Sequence, residues 1–472
     1  MRRRTIIGKS KGGILTPGTG FKMQIQTTTA NETFTLPTRS GYTYNATVLW
    51  GDGTYSQVTG HNVNNVKTYA TAGTYDIEIK GTFDSIYFNN TGSNLLVKKI
   101  LSWGGADFDG FKNMEKSFAG CQYLIELAVG GIKEKSGSQI TNFDVAFSSC
   151  VSLTTLPIDL FRYNTAVTNF VTTFNNCLSL TTLPIDLFRY NTAVTNFSYT
   201  FNNCPSLTSL PADLFRYNTA VTNFSGTFRD CNSLTPLPTD LFRYNTAVTN
   251  FSQTFQNCSS LTTLPDTLFQ YNTAVTDFSG TFYYCTSLTT LPTDLFRYNT
   301  AVTNFNYTFQ YCSNLTSLPD TLFQYNTAVT NFSSTFGSCS KLTSLPTDLF
   351  RYNTAVTSFN GTFFSCFALT TLPTDLFRYN TAVTNFSSTF FYCSKLQLRS
   401  DIFGATPDFG TRVMNFSSCF NRTSFTGTQG TAPTLWNATM NASSTTTSCF
   451  RGAGNSATSL TNYGSIPTAW KE

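Results

Sequence analysis

Apolar residues recur along most of this chain with a period of 27. Ten cysteines, from Cys150 to Cys393, are evenly spaced at this period. Between them, Leu stands at offsets +3, +6 and +10, Val at +17, and Phe at +11, +20 and +24. One such unit cannot bury its apolar side alone, so we expect successive copies to stack into a solenoid with a continuous core.

Each unit is predicted to have three short sides. In the first unit we expect a strand over residues 153–156, ended by Pro157, then a single helical turn over 159–163 and a second strand over 167–170. The seven apolar side chains are each worth ~1.5–3 kcal/mol when buried, which offsets the ordering entropy of the unit only if neighbours stack. An isolated unit is therefore predicted to be unfolded.

The predicted fold class is mainly β with short helical turns, and the chain divides into five segments. Short alternating runs before the repeats, separated by Gly, Asn and Thr turns, indicate a small antiparallel β-sandwich. Degenerate copies flank the regular repeats, as capping rungs must. The segments are a basic arm (1–20), the sandwich (21–105), an N-terminal capping repeat (106–149), nine 27-residue repeats (150–396) and C-terminal capping repeats (397–472).

The sandwich segment carries a Trp-Gly-Asp-Gly-Thr turn at residues 50–54 and a Gly-Thr-Tyr strand starting at Gly73. Together they resemble the polycystic-kidney-disease (PKD) type of immunoglobulin-like domain. The carboxylate of Asp52 has the chemistry of a calcium ligand, but Asp-Gly readily forms hairpin turns, and we predict a turn at this point.

The repeat pattern C-x-x-L-x-x-L-P followed by VTNFSxTF resembles the BspA-like leucine-rich repeats of bacterial surface proteins and some phage proteins. The resemblance covers residues from about 118 to 450. This chain differs by using Phe where many copies have Met, and by a longer unit containing DLFRYNTA. The resemblance implies a leucine-rich-repeat solenoid, without indicating what it binds.

Composition supports a packed rod with a neutral polar surface: 45 Phe and 23 Tyr accompany only 12% charged residues. The net charge is +5, and a basic arm supplies five positive charges within the first twelve residues. A nucleic-acid-binding rod would carry a basic stripe along its body, so we expect the arm to anchor the chain to a partner instead. The arm's basic residues are Arg2, Arg3, Arg4, Lys9 and Lys11.

We expect neither a membrane span nor a Sec signal peptide, because no apolar run approaches ~20 residues and the basic start lacks an apolar region. Thirteen cysteines stacked in register favour free buried thiols. His61 is the only histidine and no CxxC pair exists, so neither a metal site nor a cofactor is expected.

Enzymatic activity is not predicted. Seven units carry Asp and Arg three residues apart, as in Asp159 and Arg162, and the two units with Gln in place of Arg have lost that Asp as well. This pattern is typical of an i,i+3 ion pair, and seven copies, each beside its own Arg, do not form a catalytic carboxylate pair.

Comparison of the copies separates invariant columns from variable ones. The Tyr at +13, as in Tyr163, and the Asn after it never change, so we expect ladders that satisfy the loop backbone. Variation is concentrated after the Phe at +20 and around the Phe at +24, and it brings in aromatic residues. A stripe tuned by a partner and neutral drift at a solvated turn both explain this variation. The predicted stripe comprises Tyr199, Tyr283, Tyr284, Tyr307, Tyr311, Phe364, Phe391 and Tyr392.

From the sequence we expect a non-enzymatic phage virion protein, a structural or adhesion component of a tail or fibre that is made in the host cytoplasm. Its arm and sandwich would contact other virion proteins, and its repeats would bind a host-surface glycan or protein. The alternative is a bacterial cell-surface or extracellular BspA-like adhesin or scaffold. Homo-oligomerisation is left open.

Overall fold

The computed structural model describes residues 20–405, 407–423, 430–453 and 460–472. The predicted basic arm, with Arg2, Arg3, Arg4, Lys9 and Lys11, lies outside these residues. The described chain is mostly non-helical, and its helices are four short 3-10 segments. These are Gly92–Leu96, Leu435–Asn437, Tyr463–Ser465 and Thr468–Trp470.

The first part of the chain forms two antiparallel sheets. Five strands form one sheet in the order β4-β3-β6-β1-β7, and β2 pairs with β5 in the other. Side chains of both sheets, including Phe34 and Ile77, are buried in one core. This arrangement agrees with the predicted small antiparallel sandwich, while the PKD-type assignment stays a prediction. The strands are β1 Phe21–Thr27, β2 Glu32–Thr35, β3 Tyr44–Leu49, β4 Tyr55–Val58, β5 Val66–Tyr69, β6 Gly73–Phe83 and β7 Val97–Trp103.

The turn between β3 and β4 is closed by Asp52. Its Oδ1 accepts hydrogen bonds from the backbone N–H (3.0 Å) and the hydroxyl (2.6 Å) of Thr54, and its Oδ2 lies 2.6 Å from Lys67 Nζ. Burial would raise the pKa of Asp52, but these partners outweigh it and lower the pKa to about 2. Oδ1 thus closes the predicted turn, while Oδ2 pairs with Lys67 in β5.

The solenoid starts directly on the edge of the five-stranded sheet. Ile100 N donates to Glu126 O and Ile125 N donates to Lys98 O, both at 2.9 Å, which extends the sheet beyond β7. The Trp103 ring lies 6.1 Å from Phe118 and 6.4 Å from Phe147, so the aromatic cores of the two parts are continuous. The sandwich therefore serves as the first packing surface of the solenoid.

Successive repeats stack in parallel, and each repeat forms one rung of the stack. Residues that pair between neighbouring rungs are one repeat length apart in the sequence. Within the regular repeats, each rung contributes one bridge residue to a ladder that includes Asn169, Asn196 and Asn223. On the other side, Thr181 N donates to Thr154 O at 3.2 Å. The stacked backbone forms a solenoid, and positions one period apart form columns along it.

The predicted strands at 153–156 and 167–170 are wrong, because residues 153–156 have no regular secondary structure and 167–170 contribute only the single bridge residue Asn169. Pro157 has no N–H to continue a ladder, and a left-handed bend at Thr172 interrupts the second side. The predicted helical turn is a series of i→i+3 turns, with Leu160 N bonded to Pro157 O (3.2 Å) and Arg162 N bonded to Asp159 O (3.1 Å). Each rung thus closes through tight turns with little strand.

The predicted core is confirmed. All seven apolar positions are at most 8% exposed in every complete rung. Three phenylalanine columns stack face to face, with centroid separations such as 5.6 Å for Phe170–Phe197 and 5.5 Å for Phe174–Phe201. All thirteen cysteines are free and buried, and Cys177 Sγ donates to Phe147 O at 3.4 Å. Burial raises the pKa of the thiols of Cys204 and Cys285 to about 12.

Candidate functional site

Each rung has two sharp bends where a single residue takes left-handed backbone geometry. The φ angles at these bends lie between 52° and 63°. We call the column at +22 the first bend and the column at +26 the second bend. The first bends are Thr172, Tyr199, Gly226, Gln253, Gly280, Tyr307, Ser334, Gly361 and Ser388; the second bends are Asn176, Asn203, Asp230, Asn257, Tyr284, Tyr311, Ser338, Ser365 and Tyr392.

All eight residues of the predicted aromatic stripe lie at these bends or immediately before the second bend. Tyr199 and Tyr307 are first bends, and Tyr284, Tyr311 and Tyr392 are second bends. The other three, Tyr283, Phe364 and Phe391, occupy the column just before the second bend. All eight are partly or well exposed, so the stripe is a surface feature of the solenoid.

Tyrosine is an unexpected residue at such a bend. A left-handed residue other than Gly costs roughly 1–2 kcal/mol, and Gly and Asn take this conformation most readily. The chain itself uses Gly at Gly226 and Gly280 and Asn at Asn203 and Asn257. Five tyrosines therefore stand where local backbone energetics favour smaller residues.

The structure brings half of the stripe together in one cluster. The Tyr284 and Tyr311 rings lie 4.9 Å apart, and Tyr283 lies 5.7 Å from Tyr284 and 5.6 Å from Tyr311. Phe364 contacts Tyr311 at 6.4 Å. These four rings form a continuous aromatic surface over several rungs.

Among the described residues, none of the remaining stripe residues makes a ring contact with this cluster. Tyr392 lies 6.1 Å from Phe391 and 5.5 Å from Phe367, and the Arg422 guanidinium lies 5.5 Å from its ring. Tyr199 spans two rungs to donate a hydrogen bond to Gln253 Oε1 at 2.9 Å. The sequence did not predict a contribution from Phe367.

A surface groove of about 560 Å³ opens beside the aromatic cluster. Its walls carry amides, hydroxyls and two aromatic rings, and none of its nine described lining residues is charged. Gly280 stands at a first bend with the side chains of Gln253 and Tyr283 on either side. The lining residues are Gln253, Gln256, Ser279, Gly280, Tyr283, Asn304, Asn306, Tyr307 and Gln310.

The three glycines of the first bend column differ in what covers them. At Gly226 a Cβ would overlap the Tyr199 ring, so that ring lies across the glycine. At Gly361 a Cβ would lie 3.2 Å from Ser334 Oγ and 3.3 Å from the Phe364 ring. At Gly280 the first contact is at 3.5 Å, to Gln253 Cγ, and the groove stays open there. The sequence shows these glycines but not which way the neighbouring rings point.

The invariant Asn column has the predicted structural role. Asn326 is fully buried, and its Nδ2 donates to Phe296 O at 3.0 Å and to Asn299 O at 2.9 Å. The neighbouring Tyr column does not satisfy the loop backbone as expected, because its rings are largely exposed and contact arginines instead. The Arg189 guanidinium, for example, lies 5.9 Å from the Tyr190 ring and 5.3 Å from Tyr217.

The Asp/Arg pairs form the predicted i,i+3 ion pairs in six rungs, at 3.2–3.5 Å. In the first rung, Asp159 Oδ2 accepts a hydrogen bond from Gly130 N instead, at 2.9 Å. Each pair is exposed and repeated, and exposed pairs contribute little to stability. Among the described residues, no cluster of His, Cys, Asp or Glu could hold a metal ion. No helix in the described part of the chain is long and apolar enough to cross a membrane.

Comparisons with solved structures give leucine-rich-repeat-type neighbours at low similarity. The Toll–Spätzle complex of Drosophila aligns at 16% identity and a TM-score of 0.29, over 73% of this chain and 45% of that one. A leucine rich cell surface protein of Faecalibacterium prausnitzii aligns at 18% identity and a TM-score of 0.26, over 69% of this chain and 81% of that one. The TLR13–ssRNA13 complex aligns at 14% identity and a TM-score of 0.17, over 70% of this chain and 49% of that one.

A family model gives the assignment. No curated protein sequence matches the chain. The model of DUF285, described as a Mycoplasma protein of unknown function, matches five overlapping stretches that together span residues 112–430, well over half of the chain. These are 112–235, 186–295, 222–345, 276–403 and 303–430. This repeated match of one family model agrees with a leucine-rich-repeat type of protein. The chain belongs to the DUF285 family.

Proposed function

We propose that this protein is a non-enzymatic binding protein that presents the aromatic stripe of its solenoid to a partner at a bacterial cell surface or in the extracellular space. The observation that supports this most is the set of five tyrosines at left-handed bends. Strained backbone conformations cluster at functional sites, and exposed tyrosines are common in binding surfaces. The sequence itself leaves a bacterial cell-surface or extracellular setting open as the alternative to a virion.

The virion setting finds no support in the comparisons, whereas one neighbour is described as a leucine rich cell surface protein. That likeness is too loose to assign a partner. The regular core supports the binding proposal independently, because inward-facing columns hold each rung in place while the bend columns vary. Solenoids use such surfaces to bind partners.

Binding of the full chain to intact cells tests this proposal. The labelled protein is applied to a panel of bacterial and animal cells and measured by flow cytometry. A stripe variant replaces four tyrosines with residues that the same columns already contain, so that the bends are retained. The substitutions are Tyr283→Gln, Tyr284→Asn, Tyr307→Ser and Tyr311→Asn.

The matched control removes four exposed tyrosines from the invariant column by changing Tyr244, Tyr271, Tyr298 and Tyr325 to Ser. We expect the stripe variant to lose at least about tenfold in affinity, equivalent to about 1.4 kcal/mol, and the control to stay within about twofold. Equal losses in the two variants, or binding that survives the stripe substitutions, would contradict the proposal.

A further inference from the structure

We propose that the groove at Gly280 is a binding subsite for a neutral carbohydrate. This inference rests on the proposed binding function and names its ligand class. At about 560 Å³ the groove falls within the roughly 300–1,000 Å³ typical of small-molecule sites. It lies next to the aromatic cluster, so a chain of sugars bound in it would also reach those rings.

The chemistry of the walls matches a polyol. Amide side chains both donate and accept hydrogen bonds, as sugar hydroxyls do, and the groove has five of them. The amide oxygens of Asn306 and Gln310 are buried and lack hydrogen-bond partners within the described chain, and Gln310 is only 7% exposed. Both oxygens are shielded from solvent, so the hydrogen-bonding capacity offered to a ligand comes from the partly exposed amides of Gln253, Gln256 and Asn304.

The walls also provide apolar ring faces. Tyr283 and Tyr307 both line the groove, and Tyr307 is 45% exposed. An aromatic ring offers a flat apolar face and, in tyrosine, a hydroxyl at its edge. The combination suits a sugar ring, which has apolar C–H faces and a rim of hydroxyls.

The charge of the walls disfavours an ionic ligand. No described lining residue is charged, and Asp277, in the same rung as Ser279, already accepts a hydrogen bond from Ser279 N at 2.8 Å. A peptide ligand is less well matched, because the buried cores of protein interfaces are mainly apolar, whereas six of the nine described lining residues are amides or serine. A neutral glycan therefore fits these walls better than either alternative.

The test uses the full chain on a printed array of neutral, sialylated and sulphated glycans, followed by competition with the soluble glycan that binds. Gly280→Ser introduces a side chain that Ser334 and Ser388 already place in this column, and Tyr283→Gln introduces the residue found at Gln256 and Gln310. The matched control is Ser388→Gly, which exchanges the same two residues in the same column four rungs away, outside the groove and the aromatic cluster. Circular dichroism and thermal melting check that each variant is folded.

We expect a neutral glycan to bind, with affinity reduced at least tenfold by Gly280→Ser and by Tyr283→Gln and unchanged by Ser388→Gly. Binding that all three variants retain would overturn the assignment to this groove. Binding confined to acidic glycans would overturn the neutral ligand class. If the full chain binds cells through the stripe but binds no glycan, and periodate treatment of the cells has no effect, the carbohydrate inference fails while the proposed function stands. Absence of binding to both cells and glycans would overturn both.

Discussion

Replacing Asn326 with Asp tests whether the invariant Asn column holds the rungs together. Asn326 Nδ2 donates to Phe296 O at 3.0 Å and to Asn299 O at 2.9 Å, and its Oδ1 has no partner within the described chain. The substitution Asn326→Asp keeps the shape of the side chain but replaces the donating NH₂ with an oxygen. In the ionised form, two carboxylate oxygens would then lie among carbonyl oxygens with no N–H to pair with them.

The size of the effect follows from this geometry and depends on pH. A protonated carboxyl can still donate one of the two hydrogen bonds, so the loss at pH 4 is about 1 kcal/mol. Burial without a donor raises the pKa of the new carboxyl above its unfolded value of ~3.9. Each pH unit over which it is held neutral in the folded state costs 1.36 kcal/mol, so the deficit grows to about 5 kcal/mol by pH 7. The folded-state pKa is raised, and the stability is therefore lost as pH rises.

The control is Asn331→Asp in the bridge column. Asn331 uses its Oδ1 to accept from Ser333 N at 2.8 Å, and Asp277 already makes the same bond with Ser279 N in that column. We expect a change below ~0.5 kcal/mol, as for ordinary surface substitutions. Urea unfolding followed by circular dichroism at pH 4 and pH 7 measures both variants. Equal losses for the two variants, or a loss at Asn326 that does not depend on pH, would refute the reasoning.

Three further predictions concern the core, the thiols and the junction with the sandwich. Phe278→Ala removes a ring that stacks at 5.8 Å on Phe251 and on Phe305, and it should lower the free energy of unfolding in urea by about 3–5 kcal/mol. The control Tyr271→Ala, at an exposed position, should lower it by less than ~1 kcal/mol. All thirteen cysteines are buried, and burial raises the pKa of thiols such as Cys204, so the cysteines should resist a thiol-specific reagent until denaturant is added. Rapid reaction of the native protein would contradict their burial. Burial would raise the pKa of Asp84, but hydrogen bonds from Lys135 and other partners lower it, so Asp84→Asn should reduce stability by about 1–3 kcal/mol near neutral pH. The difference in stability between Asp84→Asn and the unchanged protein should shrink as pH falls through the lowered pKa of Asp84. Thermal melting measures this difference, and a difference that stays constant with pH would contradict the stabilising role of the ion pairs.

The core of this fold could be predicted from the sequence because burial repeats at fixed offsets. Leu153, Phe170 and their equivalents stand at the same place in every rung, and all of them are buried. The strands could not be predicted, because whether a stretch pairs depends on where the backbone bends. Residues such as Thr172 and Gln253 give no sign of left-handed geometry, although Gly and Asn in the same columns are consistent with it.

The stripe could be predicted in part, for a similar reason. Variation between copies identifies the columns that do not face the core, and all eight predicted residues lie there. The groove could not be predicted, because it depends on side-chain directions in neighbouring rungs. Gly226 and Gly280 occupy the same column of the repeat. The Tyr199 ring lies across Gly226, whereas no ring atom of the described chain lies within 4 Å of a Cβ built at Gly280.

The bends also bear on the two explanations that the sequence left open for the variable stripe. Drift that is constrained only by stability would favour Gly, Asn and Asp at left-handed positions, as at Gly226, Asn203 and Asp230. Tyrosine at Tyr284 and Tyr311 adds backbone strain, and contact between the two rings recovers ~0.5–1.5 kcal/mol beyond their burial at most. Tyr307 has no such ring partner among the described residues and is 45% exposed. Tyr307 is therefore the bend tyrosine that stability explains least, and it lines the groove. This favours a stripe tuned by a ligand over neutral drift.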